Sequence, residues 1–171
     1  MKTITRSNIY LPMVAMILTA ALAVPASAQN QVPFKGSMQA HDIDKGGPDT
    51  AFVVDTSGTG IGTPVGQFSF TQDVAVNLVA GTETGSAHWI AANGDSIYTT
   101  IAGSGYFLAS GLIRITEIHT ITGGTGRFAG AQGSFTVDRL ASPPDARQQG
   151  VDAFVTFGSF HGSITAPGVA H

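Results

Sequence analysis

The chain has 171 residues, of which only 11% are charged, and its formal net charge is −3. It contains no cysteine, which excludes disulfides, thiol nucleophiles and cysteine metal sites. The few Lys and Arg residues are not clustered, and binding to nucleic acid depends on neutralising phosphates, so we expect no nucleic-acid partner.

The N-terminus has the pattern of a secretory signal peptide. Lys2 and Arg6 precede an apolar stretch over residues 9–24, and Ala26-Ser27-Ala28 has the small-x-small spacing that signal peptidase reads. The stretch has about 16 residues, fewer than the roughly 20 of a membrane-spanning helix. We predict a signal peptide over 1–28, export to the periplasm or beyond the cell, and one domain over 29–171 without stable membrane insertion.

After the signal, apolar and polar residues alternate with period two, which predicts strands because successive strand side chains face opposite sides. Polar residues 41–49 are predicted to form a loop, and the Gly- and Thr-rich residues 57–64 a turn. Further turns are predicted at Asn93-Gly94-Asp95, 103–105 and 123–126, and a loop at 141–150. Strands are predicted over residues 34–40, 51–55, 67–78, 86–92, 96–102, 106–122, 127–140 and 151–165.

About eight strands joined mainly by hairpin-length connections predict an all-β fold, a single eight-stranded antiparallel up-and-down barrel. Closure of such a sheet removes its unpaired edges. The interior of an eight-stranded barrel holds either side chains or one small ligand. The alternative is a two-sheet β-sandwich.

One glycine-rich segment resembles a known family signature. Residues 121–133, Ile-Thr-Gly-Gly-Thr-Gly-Arg-Phe-Ala-Gly-Ala-Gln-Gly, are similar to the Gly-Gly-Thr-Gly-x-Phe-x-x-Ala-x-Gly segment of allene oxide cyclase-like and dirigent-like barrels. Val65-Gly66-Gln67-Phe68 and the turn at 91–95 resemble further features of that group. The resemblance implies an eight-stranded barrel, a possible homo-oligomer and a cofactor-free cyclase or isomerase.

Two candidate catalytic residues lie on the strand predicted over 106–122. Glu117 and His119 share parity with Ile113, Ile115 and Ile121, so both are expected to face inward if the Ile face does. A buried carboxyl beside an imidazole is a candidate acid–base pair. Alternatively, Glu117 lies at the barrel rim or pairs with an Arg, and His119 is a hydrogen-bonded wall residue.

The remaining candidates are residues that would line a cavity. The acidic segment 41–49 could hold a metal ion, but an exposed loop is the better interpretation, and we predict neither a metal nor a cofactor. The candidate ligand-binding residues are Phe68, Phe70, Tyr98, Ile115, Phe128 and His161.

Three functions fit these features. The first is an exported barrel that binds a small apolar or aromatic molecule. The second is a cyclase or isomerase acting on such a molecule, and the third is a filled barrel that acts through its outer surface.

Overall fold

The computed structural model describes residues 31–142 and 153–169, which form one closed barrel of eight antiparallel strands in chain order. Each strand pairs with its neighbours in the chain, and the last strand closes the barrel on the first. The predicted barrel is therefore confirmed, and the sandwich is wrong. The strands are β1 (Val32–Asp44), β2 (Ala51–Thr63), β3 (Gly66–Asn77), β4 (Thr82–Ala91), β5 (Ser96–Phe107), β6 (Ile113–Gly124), β7 (Gln132–Ser142) and β8 (Ala153–Thr165).

The two ends of the barrel differ. At one end, here called the base, lie the connections after β2, β4 and β6, and they bury Val65 and Phe128. Phe128 belongs to a short 3₁₀ turn (Gly126–Phe128). At the other end, here called the mouth, lie the connections after β1, β3 and β5. Among the described residues, no helix is long and apolar enough to cross a membrane.

The interior changes character from base to mouth. Toward the base it is packed with aromatic rings, and the stacked Phe70 and Trp89 have centroids 5.1 Å apart. Below the mouth lies a polar layer of buried side chains. Its members are Asp42, Thr56, Gln72, Glu83, Thr99, Glu117, His119, Arg139 and Thr156. Apolar side chains surround the space between this layer and the mouth.

β3 shows the alternation that the sequence predicts. Phe68, Phe70 and Val74 are buried, and Asp73 on the other face is exposed. Leu78 shares the parity of the buried residues, but it lies just beyond the end of β3 and is 52% exposed.

The predicted turn over residues 57–64 was wrong, because most of this segment is the second half of β2. Its inward positions are glycines, and rings from β3 and β8 lie against them. A Cβ added to Gly58 would lie 2.5 Å from the Phe70 ring, and one added to Gly62 would lie 2.5 Å from the Phe160 ring. These glycines thus make room for aromatic rings and do not reverse the chain.

Two other predicted breaks were misplaced. The predicted loop over 41–49 begins only after Asp44, where β1 ends. The predicted turn over 103–105 lies inside β5, and the chain reverses instead at 108–112, where Gly111 has a φ of +84°. Gly103 on β5 again marks close packing, because a Cβ there would lie 2.6 Å from Glu83 Oε1, whereas Gly111 supplies the left-handed conformation that this turn needs.

The turn predictions at 93–95 and 123–126 agree with the structure, whereas residues 141–142 of the predicted loop belong to β7. Asn93-Gly94-Asp95 joins β4 to β5, with Gly94 at a φ of +88°. Residues 123–126 lead from β6 into the 3₁₀ turn. The predicted signal peptide and residues 143–150 of the predicted loop lie outside the described residues.

Replacing an inward glycine of β2 should destabilise the barrel. Gly58→Val places three carbon atoms where the Phe70 ring lies, and such overpacking costs about 1–3 kcal/mol. Thr59→Val, at the exposed neighbouring position, is the matched control. Urea unfolding, followed by Trp89 fluorescence, measures the free energy of unfolding of both variants. Equal stability of the two variants would contradict the close packing at Gly58.

Candidate functional site

An apolar cavity of about 300 Å³ opens at the mouth of the barrel and is here called the mouth cavity. Asp42, Glu83 and Arg139, from the polar layer, line its inner end, and Leu78, Tyr106 and Phe107 lie at its rim. Its walls come from the mouth halves of the strands. The apolar wall residues are Phe52, Val54, Val74, Val76, Ile113, Ile115, Ala141 and Phe154.

Arg139 is the centre of the polar layer. Its Nη1 donates to Asp42 Oδ2 at 2.7 Å, and its Nη2 donates to Glu117 Oε1 at 2.9 Å. All three side chains are at least 95% buried. Short hydrogen bonds between ionised groups are the strongest kind, and here they compensate charges that have left water. The alternative in which Glu117 pairs with an Arg therefore agrees with the structure.

Neutral side chains donate further hydrogen bonds to the two carboxylates. Thr56 Oγ1 donates to Asp42 Oδ1 at 2.7 Å, and Gln72 Nε2 donates to Glu117 Oε1 at 2.9 Å. The two carboxylates thus connect Arg139 to strands β2 and β3. Glu117 Oε2 and Arg139 Nε have no hydrogen-bond partner among the described residues, so the network is only partly satisfied.

His119 lies beside Glu117 on the inner face of β6, as predicted, and is fully buried. Its Nδ1 is 3.0 Å from Thr99 Oγ1, and its Nε2 is 3.6 Å from Glu117 Oε2. The ring stacks on Phe135 with centroids 4.8 Å apart. His119 therefore has the contacts of a hydrogen-bonded wall residue.

The carboxyl groups of the polar layer have different proton affinities. Burial alone would raise the pKa of Glu117, but the charge of Arg139 and the His119 contact lower it to about 2. Burial raises the pKa of Asp42 above its ordinary value, although Arg139 and Thr56 oppose this shift. Glu117 is consequently ionised at neutral pH, which does not suit a general acid.

Glu83 is the third carboxyl group of the polar layer, and its proton affinity differs from that of the other two. Burial, followed by repulsion from the Glu117 carboxylate, raises the pKa of Glu83 from 4.5 to about 7. Its side chain lines the mouth cavity, and its buried Oε1 has no hydrogen-bond partner within the described part of the chain. A carboxyl that titrates near neutrality in a cavity is a candidate functional group.

The candidate ligand-binding residues do not form one site. Ile115 lines the mouth cavity, whereas Phe68, Phe70 and Phe128 are buried toward the base and do not line it. Phe68 and Phe70 fill the aromatic end, and Phe128 covers it. A single ligand in the mouth cavity would contact only Ile115 of this group.

Two further candidates, Tyr98 and His161, face outward. Tyr98 is 41% exposed because its neighbours on β5, Ile97 and Thr99, face the interior. Its ring stacks on that of His88, with centroids 4.7 Å apart. His161 is exposed because Phe160 faces inward. Phe157 shares the parity of His161 and is 60% exposed, so apolar character did not indicate the inner face here. Neither candidate can bind a ligand inside the barrel.

Seven of the nine residues of the polar layer were absent from the sequence candidates, among them Asp42, Gln72, Glu83 and Arg139. Parity could have found them, since each shares a face with residues that are buried. Ala40 is buried two positions before Asp42, and Phe70 and Val74 flank Gln72 at the same spacing. Val137 and Ala141 likewise flank Arg139. Ala87 and Trp89 are buried on the face of β4 that carries Glu83.

Comparisons of the chain with protein-family models and with curated proteins found no match. The resemblance of residues 121–133 to allene oxide cyclase-like and dirigent-like barrels therefore stays a prediction from the sequence.

Removal of the Arg139 charge should destabilise the folded protein. Arg139→Met would leave the buried carboxylates of Asp42 and Glu117 without their cation, a change that costs about 3–5 kcal/mol. Arg114→Met, at an exposed position of β6, is the control and should change little. Urea unfolding at pH 7 measures both. A loss no larger than that of the control would show that the ion pairs do not support the fold.

Glu83 should make stability depend on pH. Because its folded-state pKa of about 7 lies above 4.5, ionisation opposes folding, and stability is lost as the pH rises from about 4.5 to 7. Glu83→Gln cannot ionise, so its stability relative to wild type should increase over this range, by up to about 3 kcal/mol. Urea unfolding at pH 4.5 and pH 8 measures the change, with exposed Asp73→Asn as control. If the stability of wild type and that of Glu83→Gln changed with pH in parallel, Glu83 would not be the source of the pH dependence.

Proposed function

We propose that the protein is an exported barrel that binds a small apolar or aromatic molecule in the mouth cavity. The observation that carries this proposal is an open apolar cavity of about 300 Å³ whose inner end is a buried charged layer. Ligand pockets commonly combine mostly apolar walls with a few polar groups that orient the ligand. The export part of the proposal rests on the sequence pattern of residues 1–28.

The size of the cavity indicates the size of the ligand. A cavity of about 150 Å³ lined by apolar side chains holds benzene. The mouth cavity has about 300 Å³, so it suits a molecule of about two fused rings or an aliphatic body of similar volume. It lies at the lower end of the range of small-molecule sites, about 300–1,000 Å³.

A barrel without a ligand is less favoured by these observations. Protein interiors are normally close-packed, and the base half of this barrel is filled with aromatic rings. The mouth half instead leaves apolar walls around open space and a buried Glu83 oxygen without a partner. Binding of an apolar ligand would cover those walls and offset the cost of leaving them open.

The isomerase alternative has weaker support at the residues first considered for it. Neither Glu117 nor His119 is among the described residues that line the mouth cavity, and the pKa of Glu117 is low because Arg139 compensates its burial. Proton transfer to a molecule in this cavity would instead fall to Glu83. We therefore favour binding as the function.

Filling the mouth cavity should abolish ligand binding. The neutral probe N-phenyl-1-naphthylamine becomes fluorescent in apolar surroundings, so titration with it should show saturable binding to the wild type. Ile115→Trp places an indole in the cavity and should weaken binding roughly tenfold or more. Ile118→Trp, on the outer face of the same strand, should bind as the wild type does.

A second variant separates blocked binding from misfolding. Val76→Phe narrows the same cavity by a smaller change, and circular dichroism and thermal unfolding check both cavity variants. The proposal fails if the wild type shows no saturable binding, or if folded cavity variants and Ile118→Trp bind the probe equally well.

A further inference from the structure

We propose that the mouth cavity selects apolar ligands that carry a basic amine, and that the ammonium group of the ligand binds the Glu83 carboxylate. This inference rests on the proposed binding function and names its ligand class.

Glu83 is held in a position made for its carboxyl group. It lies near the mouth end of β4, is 7% exposed and lines the cavity. Its partner across the strand pair is Gly103 of β5, and a Cβ on Gly103 would lie only 2.6 Å from Glu83 Oε1. The glycine thus leaves room for the carboxyl, whose buried Oε1 finds no partner among the described residues.

The charges around Glu83 favour a cation. The ionisable groups beside it in the polar layer are Asp42 on β1, Glu117 and His119 on β6, and Arg139 on β7. Three carboxyl groups therefore face at most two cations. An ammonium ion would supply the missing positive charge, whereas a ligand carboxylate would add a further negative one.

Arg139 does not offer an equivalent site for an anion. Its Nη1 and Nη2 already donate to the carboxylates of Asp42 and Glu117 at 2.7 and 2.9 Å. Its Nε has no partner among the described residues, but an anion bound there would add a further negative charge beside three carboxyl groups that share at most two cations. Glu83 forms no such ion pair among the described residues, and its contact with the Glu117 carboxyl requires a proton between the two groups.

The test compares naphthalene derivatives that differ in one group, as competitors of N-phenyl-1-naphthylamine at pH 8. They are 1-naphthylmethylamine, 1-naphthalenemethanol, 1-naphthoic acid and 1-methylnaphthalene. We expect the amine to bind roughly tenfold tighter than the alcohol and the hydrocarbon, and the acid to bind most weakly. Since an ionised Glu83 is needed, the advantage of the amine should shrink at pH 6.

Variants assign the effect to Glu83. Glu83→Gln should remove the advantage of the amine over 1-methylnaphthalene. Asp73→Asn, which removes an exposed carboxylate from the outer face of β3, should retain the advantage. If Glu83→Gln keeps it, the assignment to Glu83 is wrong.

The outcomes separate this inference from the proposed function. If the amine binds no better than 1-methylnaphthalene, the amine selectivity is wrong, but the cavity still binds apolar molecules. If 1-naphthoic acid binds most tightly, Arg139 anchors the ligand and the inference is overturned. If the amine does not displace the probe, the amine selectivity is wrong, whereas saturable probe binding that Ile115→Trp weakens still supports the proposed function.

Discussion

The buried Arg139 guanidinium, held between Asp42 and Glu117, is the interaction on which the rest of the barrel interior depends. It joins β7 to β1 and β6 at 2.7 and 2.9 Å, and Gln72 extends the connection to β3 through Glu117. A buried charge without its partner is expensive, so each of these strands has to keep its register. The ion pairs favour this one arrangement of the strands over others that would also bury apolar side chains.

The polar layer also divides the interior into two parts with different uses. Toward the base, rings such as Phe70 and Trp89 pack against each other and against inward glycines, and this part is filled. Toward the mouth, apolar walls enclose the cavity, which ends on Asp42, Glu83 and Arg139. The base thus provides packing. The mouth provides a site with one carboxyl, Glu83, that forms no ion pair with Arg139.

The fold could be predicted because it depends on local patterns. Alternation along the chain and the hairpin signal at 93–95 are short-range features, and they are enough to indicate about eight strands and a closed barrel. The errors came from glycines. At 57–64 and 103–105 the glycines face inward and accommodate Phe70, Phe160 or Glu83, which a single sequence does not distinguish from turn glycines.

The sequence by itself determined the β class, the approximate strand count and the shared face of Glu117 and His119, because these follow from the period-two geometry of a strand. The tertiary structure decided that this face points into the barrel. Only the tertiary structure decided which inward polar groups meet. Asp42 and Arg139 are 97 residues apart, and they come together because β8, between β7 and β1 in the closed sheet, completes the barrel. Outward residues such as Tyr98 and Phe157 are as apolar as inward ones, so polarity alone did not identify the inner face.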